Sequence, residues 1–395
     1  MSTRGFHTIL RLAALMIICS THCAGPAKPD LVFIAAADWR YKATEDYHTP
    51  AYFMGALQSI VEVGKGAFMV SPGDVEPIDA SRELISQVLG EEYIWYPVAG
   101  NHELDSAAYM ESLRTMNAGG NTLPGVVRVG PPGSEETTYS FEWGNCHFVV
   151  LNQYFDGHSD VGTDGDVVPE LLEWLRRDLS ENEKRHIFVI GHEPLISIPD
   201  METGRIRHED DSLNKYVKNM HRFHQLMLEY GTTAYLCGHT HNTSIAKING
   251  IWQIDVGHAR GIEDPFPALL YKETSNRIPA EATEPEAIES GLRAYFEPRK
   301  YAIKKVLYYA GLTKGIYYKE LQDEPAFEAL THFYATISQN PSQLDEYCDV
   351  FWENNRLTAS SYTRLVVDDA QVTVEVYRND AVGGEYSLVL TEVLD

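Results

Sequence analysis

The segment "TAYLCGHTH" (residues 233–241) joins a short apolar run to a glycine and two histidines, His239 and His241. The run has the length and composition of a buried strand, and Gly238 allows a tight turn at its end. Neutral imidazole is a common metal ligand, but two histidines in a loop can also be ordinary surface residues. The pair therefore indicates a metal site only if other ligands lie close to it.

Five other segments begin in the same way and end in polar residues. They are "LVFIAAAD" (31–38), "GAFMVSPGD" (66–74), "YIWYPVAGNHE" (93–103), "HFVVLNQ" (147–153) and "HIFVIGHEP" (186–194). Amphipathic stretches with helical spacing lie between the strands, at residues 50–63, 80–89, 169–179 and 212–230. This alternation predicts an α/β fold built in layers.

The later part of the chain has a different pattern. Residues 245–256 predict a hairpin with Asn249 and Gly250 as its turn, and residues 363–377 predict a second one. Between them, residues 264–358 carry helical patterns punctuated by prolines. We interpret 264–358 as a helical insertion, with the strands of 359–395 returning to a core formed by 25–263; a separate helical domain is the alternative.

The first 24 residues have the pattern of an export signal. Arg4 and Arg11 precede an apolar run from Leu12 to Cys19 that is too short to span a bilayer, and small residues follow as far as Ala24. A buried N-terminal helix is the alternative, but no amphipathic period continues past Gly25. The pattern predicts an exported protein, periplasmic or secreted, with no membrane span.

Charge and cysteine content exclude some classes of partner. The chain carries 57 acidic and 32 basic residues, a net charge of −25, which will repel nucleic acid and anionic membranes. We therefore expect no nucleic-acid partner, and an anionic substrate would need bound metal to reverse the local field. Outside the export segment only Cys146, Cys237 and Cys348 remain, too few for a disulfide framework.

Residues able to bind metal follow five of the six predicted strands. Ligands of α/β proteins gather where strands end, so we expect these side chains to meet. Three imidazoles, two carboxylates and an amide are more than one zinc-like ion accepts, and they suit two ions about 4 Å apart that share a carboxylate. The six residues are Asp38, Asp74, Asn101, His192, His239 and His241.

Taken in order, these motifs resemble the calcineurin-like metallophosphoesterase superfamily. The resemblance rests on Asp38, "GD" (73–74), "GNHE" (100–103), "GH" (191–192) and "GHTH" (238–241), and it leaves the helical insertion uncovered. It implies a four-layer αββα sandwich with metals at the carboxyl edge of the sheets. It also implies a hydrolase in which a hydroxide bridging two divalent ions, zinc, manganese or iron, cleaves a small phosphomonoester or phosphodiester.

Carried over motif by motif, the resemblance assigns each ligand. Asp38 and His241 would bind the first ion, and Asp74 would bridge the two. The second ion would have three ligands of its own: Asn101, His192 and His239.

Two further residues of the third motif are implied in the chemistry. His102 would lie beside the leaving group and donate a proton to it, and Glu103 would orient the His102 ring.

One position departs from the family pattern. Many relatives read Asp-x-His at the first motif, whereas this chain reads Asp38-Trp39-Arg40, and a guanidinium has no free lone pair for a metal. One hypothesis is that Arg40 grips a phosphate oxygen as a substrate clamp; the alternative is that it turns outward to pair with Glu45 or Asp46.

A second departure concerns iron. Purple acid phosphatases have a tyrosine three residues after the bridging aspartate, and this chain has Pro77 there, so an iron-tyrosinate centre is not expected.

Other interpretations stay open at this point. The altered first motif allows a catalytically weakened relative that only binds phosphorylated ligands. A serine hydrolase has no Gly-x-Ser-x-Gly motif to support it. His258 could line the cleft but is more typical of an ordinary loop histidine, and His208 shares no ligand spacing with the predicted centre.

Overall fold

The structure, a computed structural model, describes residues 29–41, 49–162, 164–201, 208–209, 211–259, 284–296, 323–343, 360–379 and 385–395. The predicted export segment lies outside these residues. The described chain forms two β-sheets that pack face to face, with helices on their outer faces.

The first sheet combines strands from both ends of the chain. It contains β1 (Leu31–Ala35), β2 (Phe68–Ser71), β3 (Ile94–Pro97), β11 (Ser361–Val367), β12 (Val372–Asn379) and β13 (Tyr386–Leu394), in the order β13-β12-β11-β1-β2-β3. β1, β2 and β3 are parallel. β11 is antiparallel to β1, with Leu31 opposite Val367, so the late strands find their partner in the first strand of the core.

The second sheet has seven strands. They are β4 (Val126–Val129), β5 (Tyr139–Trp143), β6 (Cys146–Val150), β7 (His186–Ile190), β8 (Ala234–Cys237), β9 (Thr243–Ile248) and β10 (Ile251–Val256), in the order β4-β5-β6-β7-β8-β10-β9. β6, β7, β8 and β10 are parallel, and the others are antiparallel to their neighbours. The predicted turn joins β9 to β10, and Asn249 and Gly250 both have positive φ.

Alternating residues of the strands separate the layers. Phe33 of β1 packs with Phe148 and Phe188 between the sheets, whereas its neighbour Ile34 faces the outer helices. The helices of the first sheet are α1 (Thr49–Val63), α2 (Ile78–Leu89) and α3 (Ala107–Met116). The second sheet carries α4 (Pro169–Ser180) and α5 (Val217–Glu229). This confirms the predicted αββα sandwich.

Two helices are described inside the segment predicted as an insertion. α6 (Pro285–Phe296) and α7 (Asp323–Gln339) contact each other and bury Ile288, Leu292 and Phe333. The rest of 264–358 lies outside the described residues, so the insertion and the domain boundaries stay predictions. Among the helices that are described, none has the length and apolarity to cross a membrane.

Candidate metal centre

The loops that follow the parallel strands of both sheets meet at one edge. Asp38 N–H donates to the carbonyl of Gly73 (3.1 Å), and Arg40 N–H donates to the carbonyl of Asp74 (3.0 Å), so the loops after β1 and β2 are joined. Asp38, Asp74 and His239 all have positive φ, which is uncommon for residues other than glycine. These backbone turns direct the side chains toward one another.

Two glycines leave the space that the side chains occupy. A Cβ on Gly238 would lie 2.5 Å from Asp38 Oδ2, and one on Gly73 would lie 2.4 Å from His192 Nδ1. Neither distance is possible for real atoms, so any larger residue would push a predicted ligand away. Gly238 therefore allows the close approach that the sequence predicted for it.

Three predicted ligands of the second ion surround one point. Asn101 Oδ1 lies 3.0 Å from His192 Nε2 and 3.3 Å from His239 Nδ1, and the two ring nitrogens are 3.2 Å apart. Atoms that bind one ion at about 2.1 Å, with angles of about 90–109°, lie roughly 3.0–3.4 Å from each other. The spacing of these atoms is that of ligands on a shared ion.

The hydrogen bonds on the far side of each ring fix which nitrogen faces this point. His192 Nδ1 lies 2.7 Å from the carbonyl of Pro72, and His239 Nε2 lies 3.1 Å from the carbonyl of Asp211. A carbonyl only accepts, so these nitrogens carry the hydrogens and the neutral rings present lone pairs to each other. Burial lowers the pKa of His192 and so favours the neutral ring, although the negative charge of Asp74 acts in the opposite direction.

Asp74 lies between the two predicted sets of ligands. Its Oδ1 is 3.5 Å from His192 Nε2 and accepts the backbone N–H of His102 at 3.0 Å. Ligand atoms of Asp38, Asp74 and His192 all lie within 4.8 Å of one another. This position suits a carboxylate shared by two ions.

The first-ion ligands are less closely spaced. Asp38 is fully buried, and its two carboxylate oxygens each lie 3.1 Å from the backbone N of His239. His241 Nε2 is 3.8 Å from Asp38 Oδ1. The buried His258, which follows β10, places its ring centroid 5.7 Å from that of His241.

Arg40 makes an ion pair that the sequence did not predict. Trp39 anchors the segment by stacking on Phe53 of α1 at 4.2 Å, and Arg40 Nε donates to Glu76 Oε1 at 2.8 Å. Glu76 is buried, which raises its pKa, while Arg40 acts in the opposite direction. The proposed partners Glu45 and Asp46 lie outside the described residues, and the clamp stays a prediction.

The carboxylate closest to the His102 ring is that of Asp105, whereas the expected partner Glu103 makes other contacts. His102 Nδ1 lies 2.7 Å from Asp105 Oδ2, and its Nε2 lies 3.8 Å from Asp74 Oδ2. Glu103 is buried and accepts three backbone N–H groups, those of Asp74, Val75 and Gly100. Glu103 therefore fixes the backbone of Asp74, the residue predicted to bridge the two ions.

Burial raises the pKa of Glu103, and the charges of Asp74 and Glu76 act in the same direction. The backbone N–H groups of Gly100 and Val75 oppose that shift, because they hydrogen-bond the ionised form.

Sequence reasoning missed a polar group beside the second-ion ligands. The His208 ring lies 4.2 Å from that of His239, and its Nδ1 is 3.2 Å from Asp211 Oδ2. Lys215 Nζ is 3.1 Å from Glu193 Oε2 and 3.4 Å from Asp211 Oδ1. Burial raises the pKa of Glu193 to about 7 although Lys215 opposes the shift. The adjacency of Glu193 to His192 was the available signal.

Comparison with known proteins agrees with this geometry. Residues 24–243 match the family described as Metallophos, calcineurin-like phosphoesterase. Tartrate-resistant acid phosphatase type 5 of Rattus norvegicus is 27% identical over 283 residues, covering 65% of this chain and 80% of the relative. The Homo sapiens protein of the same name is 25% identical over 277 residues, with the same coverage.

Among solved structures, one titled "Structure of PhoD" covers 93% of this chain and 70% of that chain, with 11% identity and a TM-score of 0.44. At that score the likeness adds nothing to the assignment.

Proposed function

This chain belongs to the calcineurin-like phosphoesterase family and is a phosphoester hydrolase, and from that premise we propose that it works with two divalent ions held at the edge of the sandwich. The first ion takes Asp38 and His241, the second takes Asn101, His192 and His239, and Asp74 bridges them. Zinc, manganese and iron all accept these oxygen and nitrogen ligands.

One observation carries the proposal. Asn101 Oδ1, His192 Nε2 and His239 Nδ1 converge within 3.0–3.3 Å, and both ring nitrogens present lone pairs. Lone pairs that face each other in a buried place repel unless a cation or a proton lies between them. Burial disfavours the protonated form of His192, so a metal cation is the better explanation.

The residues of the chain divide the work of hydrolysis. When bound, the two ions supply a hydroxide near neutral pH and offset charge on the phosphoryl oxygens. His102, with its ring held by Asp105, donates a proton to the departing alkoxide. The Glu103 carboxylate keeps the Asp74 backbone in place by accepting three hydrogen bonds from backbone N–H groups.

Substrate and location belong to the same proposal. We infer a small phosphorylated substrate, a phosphomonoester or phosphodiester, and the name of the acid phosphatase relatives favours the monoester. The export pattern of residues 1–24 supports a periplasmic or secreted enzyme.

The test combines metal removal with a pair of substrates. Protein stripped by a chelator should lose turnover of p-nitrophenyl phosphate and regain it with Zn²⁺, Mn²⁺ or Fe²⁺. The rate on the bis ester, measured beside it, decides between monoester and diester preference. Full turnover in metal-free protein contradicts the proposal. Metal and phosphate binding without turnover of either ester would instead identify the weakened relative that the altered first motif allows.

A further inference from the structure

We propose that His258 is a ligand of the first metal ion, beside Asp38 and His241. The inference rests on the proposed function, since it presumes an ion between Asp38 and His241. It adds a residue that lies beyond the five motifs and that the sequence pattern treats as an ordinary loop histidine.

The first reason is the spacing of the rings. Two imidazoles on one ion, with bonds of about 2.0–2.1 Å and angles of about 90–120°, place their ring centroids roughly 4.5–5.6 Å apart. His192 and His239, which face each other at the second-ion position, have centroids 5.0 Å apart. The ring centroids of His241 and His258 are 5.7 Å apart, just beyond that range, so the two rings would move slightly closer on a shared ion.

The second reason is that the backbone ties His258 to Asp38. The N–H of Ala259 donates to the carbonyl of Ala37 at 3.0 Å, which joins the residue after His258 to the residue before Asp38. The carbonyl of His258 accepts the N–H of Ser361 at 2.8 Å, so β11 holds it from the other side. The His258 backbone is therefore as firmly placed as that of a predicted ligand.

The turn at Gly257 also fixes this position. Gly257 has a φ of +79°, and a Cβ there would lie 2.1 Å from Ser361 Oγ and 2.5 Å from Thr243 Oγ1. No other residue allows β10 to end so close to β9 and β11. The consequence is that His258 is 6% exposed and lies at the same edge as His241.

The third reason is the number of protein ligands available to the first ion. Arg40 follows Asp38 by two residues, but a guanidinium has no free lone pair for a metal, and its Nε donates to Glu76. Asp38, Asp74 and His241 alone leave a zinc-like ion dependent on solvent for its remaining positions. A buried imidazole beside His241 completes the four protein ligands of a tetrahedral ion.

Zinc titration of the metal-free protein tests the assignment. Loss of an outer-sphere partner weakens metal binding by about 10–100-fold, so loss of a ligand in His258→Ala should raise one zinc dissociation constant by more than about 100-fold. The other dissociation constant should stay unchanged. The matched control is His224→Ala. It removes an imidazole of α5 that forms a hydrogen bond with the carbonyl of Ile248. Its two constants should equal those of the parent.

Two further measurements extend the titration, and the second of them uses the parent protein, so it does not depend on the folding of a variant. Arg40→His in the His258→Ala background should restore the weakened site by returning an imidazole from the first motif. In crystals of the zinc-loaded parent, anomalous diffraction should place a His258 nitrogen about 2.0–2.1 Å from zinc. Unchanged zinc affinity in His258→Ala, or a ring more than about 3 Å from the ion, overturns the assignment. A parent that binds none of Zn²⁺, Mn²⁺ and Fe²⁺ overturns the proposed function itself.

Discussion

The two halves of the proposed metal centre differ in how closely the fold alone has brought their candidate ligands together. At the second-ion position, three ligand atoms lie within 3.0–3.3 Å of each other. At the first-ion position, His241 Nε2 lies 3.8 Å from Asp38 Oδ1. The ring centroid of the neighbouring His258 lies 5.7 Å from that of His241. The first half has further to close when an ion binds.

The difference follows from what holds each ring. The rings of the second half are fixed by carbonyls of Pro72 and Asp211, which belong to loops that the sheets position. In the first half, the residue two after Asp38 is an arginine paired with Glu76. Preorganised ligands bind more tightly because less ordering accompanies binding. We therefore expect the second ion to be held more strongly than the first.

The largest expected effect separates the two halves directly. His239→Ala should abolish the tighter zinc site, His241→Ala the weaker one, and Asp74→Ala both, because its carboxylate bridges. Turnover should fall in each by more than the roughly 10²–10³-fold that loss of one transition-state hydrogen-bond donor causes. Zinc titration with metal analysis after gel filtration gives the stoichiometry.

His224→Ala serves here too as the control, because its ring bonds the Ile248 carbonyl rather than a predicted ligand. Equal zinc affinities at both sites would remove the distinction between the halves. So would the loss of the same zinc site in His239→Ala and His241→Ala.

A smaller effect concerns His102, whose Nε2 lies 3.8 Å from the carboxylate of Asp74. His102→Ala should keep both ions and lose about 10²–10⁴-fold in rate on alkyl phosphates, whose leaving group needs a proton. The loss on p-nitrophenyl phosphate should be much smaller, because nitrophenolate departs without protonation. Steady-state kinetics on the two esters measures the ratio.

Asp105→Asn tests the positioning of that ring. It should reproduce part of the His102→Ala loss on alkyl phosphates, with metal content unchanged, since the carboxylate contacts the ring at 2.7 Å. Equal losses on both esters in His102→Ala would argue against a proton donor.

The layered fold and the strand-end residues could be predicted because their signals are local. Five of the six predicted core strands are apolar runs followed by Asp, Asn or His beside a small residue, and the carboxyl ends of parallel strands meet. The short β4, with the sequence "VVRV" and alternating exposure, lacks such a run and escaped prediction. So did β5 and α3.

The direction of individual side chains could not be predicted from the sequence pattern. Glu103 and Asp105 both follow His102 within three residues, and spacing does not tell which carboxylate turns toward the ring. His258 and His208 approach their neighbouring histidines through contacts between distant parts of the chain. Long-range packing of this kind leaves no periodicity in the sequence.

The smallest expected effect concerns Arg40. The test distinguishes a residue that binds the phosphate of the substrate from one that only forms a structural ion pair. If its guanidinium also grips a phosphate oxygen, Arg40→Lys should raise KM and weaken phosphate inhibition several-fold, because an ammonium cannot match the bidentate geometry. Metal content should stay the same. Glu76→Gln is the matched control, since it retains a hydrogen-bonding partner for Arg40 Nε and removes only the buried charge. If the pair is purely structural, Arg40→Lys removes the Nε donor to Glu76 and should lower the melting temperature, consistent with an energy of about 1–3 kcal/mol for a buried polar group that loses its partner. Glu76→Gln, which keeps an acceptor, should lower it less, and neither variant should change phosphate inhibition. In that case Arg40 would neither bind the first ion nor hold the substrate, and its part in the first half would be to fix the loop after β1 through Glu76.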